Sequence, residues 1–306
     1  MKPLLSIVMA YHDRKPLLLQ TLKSISYSSE VAYTEIIIVD DGSSENHRLD
    51  NITEEVIELT GKKLDIKVIR IEPENKWYSN PCIPYNIGFK QAQGDIIVIQ
   101  NPECYHLGDV LSIAAKIEYN QYYSFFCYSL DEAATQAVKD IDLPALMSMG
   151  LGITGLHETA GVAWETWLRG IVPFWPLQER AITHEGGLGY YNHSVYRPVS
   201  YHFCSAIPRT DLQELGGFDE RYAEGVAYDD DEFIARIRRK GMEVHFPVGF
   251  DRSPYPMVLH QNHYKESKEY GVWEGKIPEN KARLEKNYNL YHQVTLQETE
   301  WRANVK

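Results

Sequence analysis

The stretch DIIVIQNPECYH, residues 95–106, decides the fold because an apolar run ends there abruptly in polar residues. Residues 96–99 are continuous isoleucine and valine, which is typical of a strand buried on both faces of a parallel sheet. Ligands of open α/β sheets bind at the carboxyl ends of the strands. We therefore expect Asn101 and Glu103 to lie at the mouth of a binding crevice. A plain turn, with Pro102 ending the strand and both polar side chains in solvent, is the alternative.

The sequence before this stretch repeats the same pattern. Apolar runs occupy residues 4–10, 35–39 and 66–71, and helical patterns separate them. Strands that alternate with helices at this spacing predict βαβ units and a mainly parallel sheet with right-handed crossovers. Neither a GxGxxG fingerprint nor a GxxxxGK[ST] phosphate loop is present, which counts against dehydrogenases and P-loop NTPases.

Acidic residues stand at the strand ends instead, namely Asp13, Asp40, Asp41 and Glu103. The whole chain of 306 residues is acidic, with 43 Asp and Glu against 31 Lys and Arg and a formal charge of −12. This balance argues against a nucleic acid as partner. An anionic ligand would need local basic residues, helix N-termini or a bridging cation, and carboxylates at strand ends favour a divalent cation.

The aromatic residues, the cysteines and the first residues of the chain also indicate what kind of protein this is. The 21 tyrosines and 6 tryptophans predict an aromatic-lined groove for sugars or bases. The four cysteines are scattered and indicate neither a disulfide framework nor a zinc cluster. The first residues lead straight into a strand without a signal-peptide pattern, and no apolar run approaches the roughly 20 residues of a membrane span. We expect a cytoplasmic protein, with peripheral association with a membrane as the alternative.

Three stretches in the first hundred residues resemble the N-terminal half of inverting family 2 glycosyltransferases. They are LLSIVMAYHDR (4–14), EIIIVDDGSS (35–44) and PYNIGFKQAQGDIIVIQN (84–101). The resemblance implies the GT-A fold, an α/β fold with a Rossmann-like, mainly parallel sheet flanked by helices. It also implies a nucleotide-sugar donor, a UDP-sugar ahead of a GDP-sugar. By position, the implied donor-binding residues are Tyr11, Asp13, Asp40, Asp41, Asn86 and Asn101, with the Tyr11 ring stacking on the base.

The sequence departs from that family at two places. The family's fourth strand normally ends in Asp-x-Asp, whose last carboxylate holds the divalent ion on the donor diphosphate, whereas this chain has residues 101–103, Asn-Pro-Glu. The resemblance implies Glu103 as a ligand of Mn²⁺ or Mg²⁺. Since one charge is lost, weaker metal affinity or metal independence is the alternative. Many members also carry a basic residue before the Asn-x-Gly helix; here only Lys76 or Arg70 could compensate.

The stretch LGGFDERYAEGVAYDDDEFIARIRRKG, residues 215–241, is similar to GT-A transferases and to beta-1,4-galactosyltransferases in particular. The resemblance implies Asp230 as the general base that deprotonates the acceptor hydroxyl. It places Asp229 beside it, on the acceptor sugar, and leaves Asp229 as the second candidate for the base. A purely structural role is the alternative, because acidic residues at a helix N-terminus complement the helix dipole.

Two later features complete the predicted site. PMVLHQNHY, residues 256–264, has the position of a Met-x-x-His metal motif, which implies His260 as a second metal ligand and His263 as the alternative. Aromatic, His and Asn residues interleave with glycine from residue 184 to 209, as is typical of carbohydrate sites. We nominate Tyr190, Tyr191, Asn192 and His193 as an acceptor-side loop.

The predicted organisation is a single GT-A domain, residues 1–264, with a donor-nucleotide half (1–106) and an acceptor and catalytic half (107–264). Residues 265–306 form a helical extension that wraps the domain or contributes to a homodimer. The predicted reaction moves a sugar from the nucleotide-diphospho-sugar to a carbohydrate hydroxyl with inversion. The alternatives are a retaining GT-A transferase, a non-catalytic nucleotide- or carbohydrate-binding protein on a degenerate scaffold and, more weakly, a nucleotidyltransferase.

Overall fold

The computed structural model describes residues 2–146, 168–184, 186–247, 256–263 and 278–297. The strands are β1 (Leu5–Tyr11), β2 (Thr34–Asp41), β3 (Asp65–Ile71), β4 (Ile96–Gln100), β5 (Cys104–Leu107), β6 (Gln121–Ser124), β7 (Cys127–Ser129), β8 (Gly189–Asn192), β9 (Cys204–Pro208), β10 (Glu243–His245) and β11 (Met257–His260). The helices are α1 (Lys15–Ile25), α2 (Ile52–Thr60), α3 (Cys82–Gln91), α4 (Val110–Ala114), α5 (Glu132–Ala137), α6 (Arg209–Leu215), α7 (Asp229–Lys240) and α8 (Pro278–Gln297).

The main sheet has seven strands in the order β10-β6-β9-β4-β1-β2-β3. β1 runs parallel to β2 and β4, and β2 runs parallel to β3, whereas β9 is antiparallel to both of its neighbours. The predicted α/β architecture, a large and mainly parallel sheet flanked by helices, is confirmed. Because Tyr11 pairs with Asp40 and Asp40 pairs with Arg70, the carboxyl ends of β1, β2 and β3 lie at the same edge.

Alternate residues of the central strands enter two separate cores. Ile7 and Met9 of β1 pack with α1 and α2 on one face of the sheet, while Val8 packs with α3 and α7 on the other. This two-residue alternation explains why the strands are apolar throughout. The Asn-x-Gly pattern has a packing reason, because a Cβ at Gly88 would lie 2.4 Å from a methyl carbon of Val8.

A second sheet, in the order β5-β11-β7-β8, begins immediately after β4. The stretch at residues 95–106 therefore contains two strands, one in each sheet, and not one strand closed by a turn. Residues 122–130, YYSFFCYSL, likewise divide between β6 and β7, because Phe125 packs in the first core and Phe126 in the core of the second sheet. The nominated loop at residues 190–193 is largely strand β8.

The two predicted halves share both sheets, since β4 pairs with β9 in one sheet and β5 with β11 in the other. The predicted helical extension contains α8, which packs against α7. No helix in the described part of the chain is long and apolar enough to cross a membrane.

Candidate active site

The carboxyl edge of β1 and β2 brings Asp13, Asp40 and Asp41 together. Asp40 is 1% exposed and accepts hydrogen bonds from the Ser43 backbone amide at 3.0 Å and from Arg70 Nη1 at 2.6 Å. The negative charge of the Asp40 carboxylate is therefore balanced by Arg70 of β3.

The other two carboxylates of this edge are also engaged. Asp41 accepts from Lys76 Nζ and from the Tyr78 hydroxyl, both at 2.6 Å. Asp13 has a left-handed backbone, φ 54°, and its Oδ1 accepts from the amide and hydroxyl of Ser44, both at 2.9 Å. Burial alone would raise the pKa of Asp13, but the Ser44 hydrogen bonds lower it overall. Arg70 and Lys76, the two basic residues named from the sequence, are thus paired with Asp40 and Asp41.

Two predicted donor-binding residues have structural contacts instead. Tyr11 is fully buried in the core and donates its hydroxyl to the His47 carbonyl at 2.8 Å, so its ring has no free face for a base. Asn86 donates to the Phe218 carbonyl at 2.8 Å and accepts from the Phe218 amide at 2.8 Å. It joins α3 to the segment before α7. These contacts correct both predicted roles.

A carboxylate and two imidazoles meet where the second sheet begins. Glu103 Oε1 lies 3.2 Å from His260 Nε2 and 3.6 Å from His263 Nε2, and the candidate ligand atoms all lie within 4.8 Å of one another. The antiparallel pairing of β5 with β11 sets this geometry, because His260 lies opposite Cys104. Glu103 and His260, the two predicted metal ligands, are 157 residues apart in the sequence. The fold brings them together, and His263 lies beside them as a third group.

The electrostatics of this cluster favour a cation. Burial would raise the pKa of the Glu103 carboxyl, but the hydrogen bond with His260 and the Arg14 guanidinium 3.7 Å away hold it well below its usual range. Burial lowers the pKa of His263 to about 3, which leaves a neutral ring. Glu103 Oε2 is buried and accepts no hydrogen bond from the described residues. One carboxylate, two imidazoles and an unsatisfied buried oxygen fit a divalent ion such as Mn²⁺.

Asn101 lies between β4 and β5 and contacts Tyr85. Its Oδ1 is 3.1 Å from the hydroxyl of Tyr85, which is also 3.1 Å from the Gln100 carbonyl. The buried Tyr85 ring in turn lies 5.1 Å from the ring of His202. Sequence reasoning missed Tyr85 and His202, although His202 lies within residues 184–209, where aromatic, His and Asn residues interleave with glycine.

The start of α7 presents three consecutive aspartates in three environments. Asp229 is 6% exposed and accepts from Asn80 Nδ2 at 2.9 Å; burial and the neighbouring Asp230 raise its pKa to about 6. Asp230 contacts the His202 ring and accepts from the His202 amide at 3.2 Å, and its side chain is 29% exposed. Asp231 accepts from the Tyr201 hydroxyl at 2.6 Å.

His202 is poised as the partner of Asp230. Burial lowers the pKa of His202, but the charge and hydrogen bond of Asp230 outweigh this effect and raise it overall. The ligand atoms of His202, Asp229 and Asp230 also lie within 4.8 Å of one another. Asp230 is the partly exposed carboxylate of this group, and its partner His202 is buried.

The four nominated acceptor residues lie in or next to β8, and three of them are buried. Tyr190, Tyr191 and Asn192 are at most 7% exposed, and Asn192 donates to Ser124 Oγ at 2.7 Å. His193 packs between aromatic rings, and burial lowers its pKa to about 4. The prediction of an acceptor-side loop is thus corrected, because Tyr190 packs in the core of the second sheet, Tyr191 packs in the first core and Asn192 bonds to β6. The Tyr191 ring does lie 4.9 Å from His260 and supports the candidate metal cluster.

Two sequence families match the chain. Residues 6–137 match the family described as Glycosyl transferase family 2, and residues 200–261 match the family described as N-terminal domain of galactosyltransferase. No curated protein gives a significant match. The first range contains Glu103, and the second contains His260 and the whole group of His202, Asp229 and Asp230.

Solved structures show a similar fold. Mannosyltransferase PcManGT from Pyrobaculum calidifontis, in complex with GDP-Man and Mn²⁺, superposes with a TM-score of 0.53 at 14% identity, over 96% of this chain and 65% of that chain. S. aureus TarS in complex with UDP-GlcNAc gives 0.51 at 14% identity, over 89% of this chain and 61% of that chain. The chain therefore spans less than two thirds of either structure. At this identity the likeness establishes the fold alone, which is the GT-A fold. In sequence the chain is similar to glycosyltransferase family 2 over residues 6–137 and to galactosyltransferases over residues 200–261.

Proposed function

We propose that this protein transfers a sugar from a nucleotide-diphospho-sugar to a carbohydrate hydroxyl with inversion. The observation that carries the proposal is the closeness of the two clusters. His202 contacts Asp230. Phe203, which follows His202 in the chain, has its ring 5.9 Å from the ring of His260. A partly exposed carboxylate that can take a proton therefore lies beside a group that can hold a cation, and this pairing suits attack on C1 with departure of a diphosphate.

The donor is proposed to lie along the carboxyl edge of β1, β2 and β4. Asp13 offers the most exposed carboxylate there, with 37% of its side chain accessible, and Asp41 and Asn101 flank it. Carboxylates accept hydrogen bonds from the N–H groups of a base and from ribose hydroxyls. The similar structures hold GDP-Man and UDP-GlcNAc, so both bases belong in a first panel, with UDP-sugars ahead.

Glu103, His260 and His263 would hold the divalent cation, Mn²⁺ or Mg²⁺. When bound, the cation would offset negative charge on the donor diphosphate. The chain itself holds Glu103 ionised by means of His260 and Arg14. Since the usual Asp-x-Asp is replaced, the two histidines supply the ligands that the altered strand end lacks.

Asp230 is proposed as the general base. The acceptor oxygen forms its bond to C1 while the bond from C1 to the leaving phosphate oxygen breaks, and the hydroxyl proton passes to Asp230. Asp229 is a weaker candidate because it is nearly fully buried and already accepts from Asn80. His202 fixes the Asp230 carboxylate through its ring and its backbone amide.

The test is the stereochemistry of the product. The protein is incubated with UDP-GlcNAc or GDP-mannose, Mn²⁺ and a set of methyl glycosides, and ¹H NMR of the isolated product gives the anomeric configuration. We expect β-linked product from these α-linked donors. An α-linked product would show a retaining enzyme, and the absence of both transfer and donor hydrolysis with every nucleotide sugar would show that the chain is not a transferase.

A further inference from the structure

A groove of about 260 Å³ lies between α7, the segment before β9 and the C-terminal helix α8. It is lined by Pro198, Val199, Tyr201, Asp231, Ala235 and Tyr291, with Ile234 and Arg238 completing the wall. The volume is close to the lower end of small-molecule sites, about 300 Å³, which suits a single sugar ring. The matched family segment ends at residue 261, so Tyr291 lies outside it.

The chemistry of the lining suits a carbohydrate. Asp231 can accept hydrogen bonds from sugar hydroxyls and Arg238 can donate to them, while the Tyr291 ring offers an apolar face for the C–H groups of a pyranose. Among the residues that the structure describes, the exposed Arg238 guanidinium forms no ion pair. Asp231 follows Asp230 in α7, and Tyr201, which bonds to Asp231, precedes His202, which contacts Asp230, so the groove lining adjoins the proposed base in the chain.

The helix that carries Tyr291 is fixed to the loop before α7. Asn287 is fully buried, and its Nδ2 donates to the carbonyls of Tyr222 at 3.1 Å and Ala227 at 2.8 Å. A Cβ at Gly225 would lie 2.0 Å from Asn287 Oδ1, so the loop and helix fit closely only with glycine there. The groove wall is therefore anchored to the backbone that leads directly into Asp229.

Aromatic contacts continue this attachment. The Tyr228 ring lies 5.6 Å from Tyr291 and 5.8 Å from Tyr288, and Tyr228 itself has a left-handed backbone, φ 66°. A non-glycine residue in that region costs energy and persists only where its surroundings fix it. Helix α8 provides such surroundings through Tyr288 and Tyr291.

We propose that Tyr291 of α8, together with Asp231 and Arg238 of α7, forms a binding site for the acceptor sugar. The proposal rests on the proposed transferase function and adds the acceptor site that the buried residues of β8 do not provide. Helix α8 is then part of the active site and not only a covering of the domain. The site takes a neutral pyranoside, whose ring lies on Tyr291 and whose hydroxyls bond to Asp231 and Arg238.

The test measures sugar binding in the full chain by saturation-transfer NMR with the methyl glycosides of glucose, galactose, mannose and N-acetylglucosamine. We expect at least one glycoside to bind the wild type and to bind Tyr291→Ala about fivefold more weakly, because an aromatic contact of this kind is worth about 1 kcal/mol. Tyr291→Phe, which retains the ring, should stay within about twofold of the wild type.

Tyr33→Ala is the matched control. Tyr33 is 50% exposed, and among the described residues its hydrogen bonds are formed by its backbone and not by its side chain. Equal glycoside affinity in Tyr291→Ala and the wild type, or no glycoside binding to the wild type, overturns the acceptor site. Thermal stabilisation by UDP-GlcNAc or GDP-mannose is measured on the same samples. If the nucleotide sugar still raises the Tm but glycoside affinity does not depend on Tyr291, the acceptor site is wrong and the transferase function stands. If neither nucleotide sugar raises the Tm, the proposed function itself is wrong.

Discussion

Two pairs of adjacent aspartates, Asp40–Asp41 and Asp229–Asp230, have the same sequence and opposite surroundings. In the first pair each carboxylate has its own base, Arg70 for Asp40 and Lys76 for Asp41. In the second pair the neighbours are an amide and one histidine, and the pKa of Asp229 rises to about 6. The difference teaches that the motif alone does not assign a role. A charge-balanced pair can only accept hydrogen bonds, whereas an unbalanced pair can exchange protons near neutral pH.

The largest expected effect separates the two pairs by kinetics. Asp230→Asn should lower kcat by about 10³-fold, because a positioned general base contributes roughly 10² to 10⁴. Asp41→Asn, the matched change in the other pair, should raise the KM of the donor and change kcat by less than about tenfold. Steady-state kinetics with the active donor decides this. Similar losses of kcat in both variants would contradict the division of roles.

A third carboxylate, Glu103, sharpens the comparison because its partners are imidazoles. Glu103→Gln should weaken Mn²⁺ binding by at least about 100-fold, more than the loss seen when an outer partner of a metal ligand is removed. Isothermal titration calorimetry with Mn²⁺ measures this directly. Glu243→Gln is the control, since Glu243 also pairs with a histidine, His245, but at the surface. Unchanged Mn²⁺ affinity in Glu103→Gln would remove the cluster as the metal site.

The charge balance of the first pair predicts a cost in stability. Asp40→Asn leaves the Arg70 guanidinium, only 17% exposed, without its buried carboxylate, and should lower the free energy of unfolding by about 2 kcal/mol. Urea denaturation measures the change. The exposed pair of Arg48 and Asp50 gives a control, because Asp50→Asn should change stability by less than about 0.5 kcal/mol. Equal effects at the two sites would show that Asp40 is not engaged as described.

The second pair predicts an effect on stability of the opposite sign, and this effect depends on pH. The Asp229 carboxyl loses its proton near pH 4 in the unfolded chain and near pH 6 in the folded chain, so raising the pH across this window destabilises the wild type. Asp229→Asn lacks this proton and can still accept from Asn80. The variant should therefore gain stability relative to the wild type as the pH rises from about 4 to 6.5, and nothing below pH 4.

Urea denaturation of both proteins from pH 4 to 8 gives this difference, in which the titrating groups remote from Asp229 cancel. A difference that is constant with pH, or that grows as the pH falls, would contradict the raised pKa of Asp229.

The sequence predicted the first sheet well, because its strands are apolar on both faces and alternate with amphipathic helices. It also predicted the pairing of Glu103 with His260, through the resemblance of both segments to known families. The second sheet escaped prediction, since β5 and β7 are only four and three residues long and adjoin strands of the first sheet. Short strands of this kind are fixed by long-range pairing and have no periodic pattern of their own.

The errors at the site have a common cause. Tyr11, Asn86 and the residues of β8 are of types that bind sugars or bases, but the same types also satisfy buried backbone groups. Composition cannot distinguish these uses, whereas burial does. His202 was missed for the converse reason, because its role depends on contact with Asp230, which lies 28 residues away in the sequence.

The central claim is that the edge beside Glu103, His260 and His263 binds a nucleotide sugar together with a divalent cation. A thermal-shift panel of UDP-sugars, GDP-sugars and free UDP and GDP, each with and without Mn²⁺, tests it most directly. We predict that at least one nucleotide sugar raises the Tm by about 5 °C with Mn²⁺ and by clearly less without it. If no nucleotide or nucleotide sugar stabilises the protein, with or without the metal, the account of the donor site is contradicted.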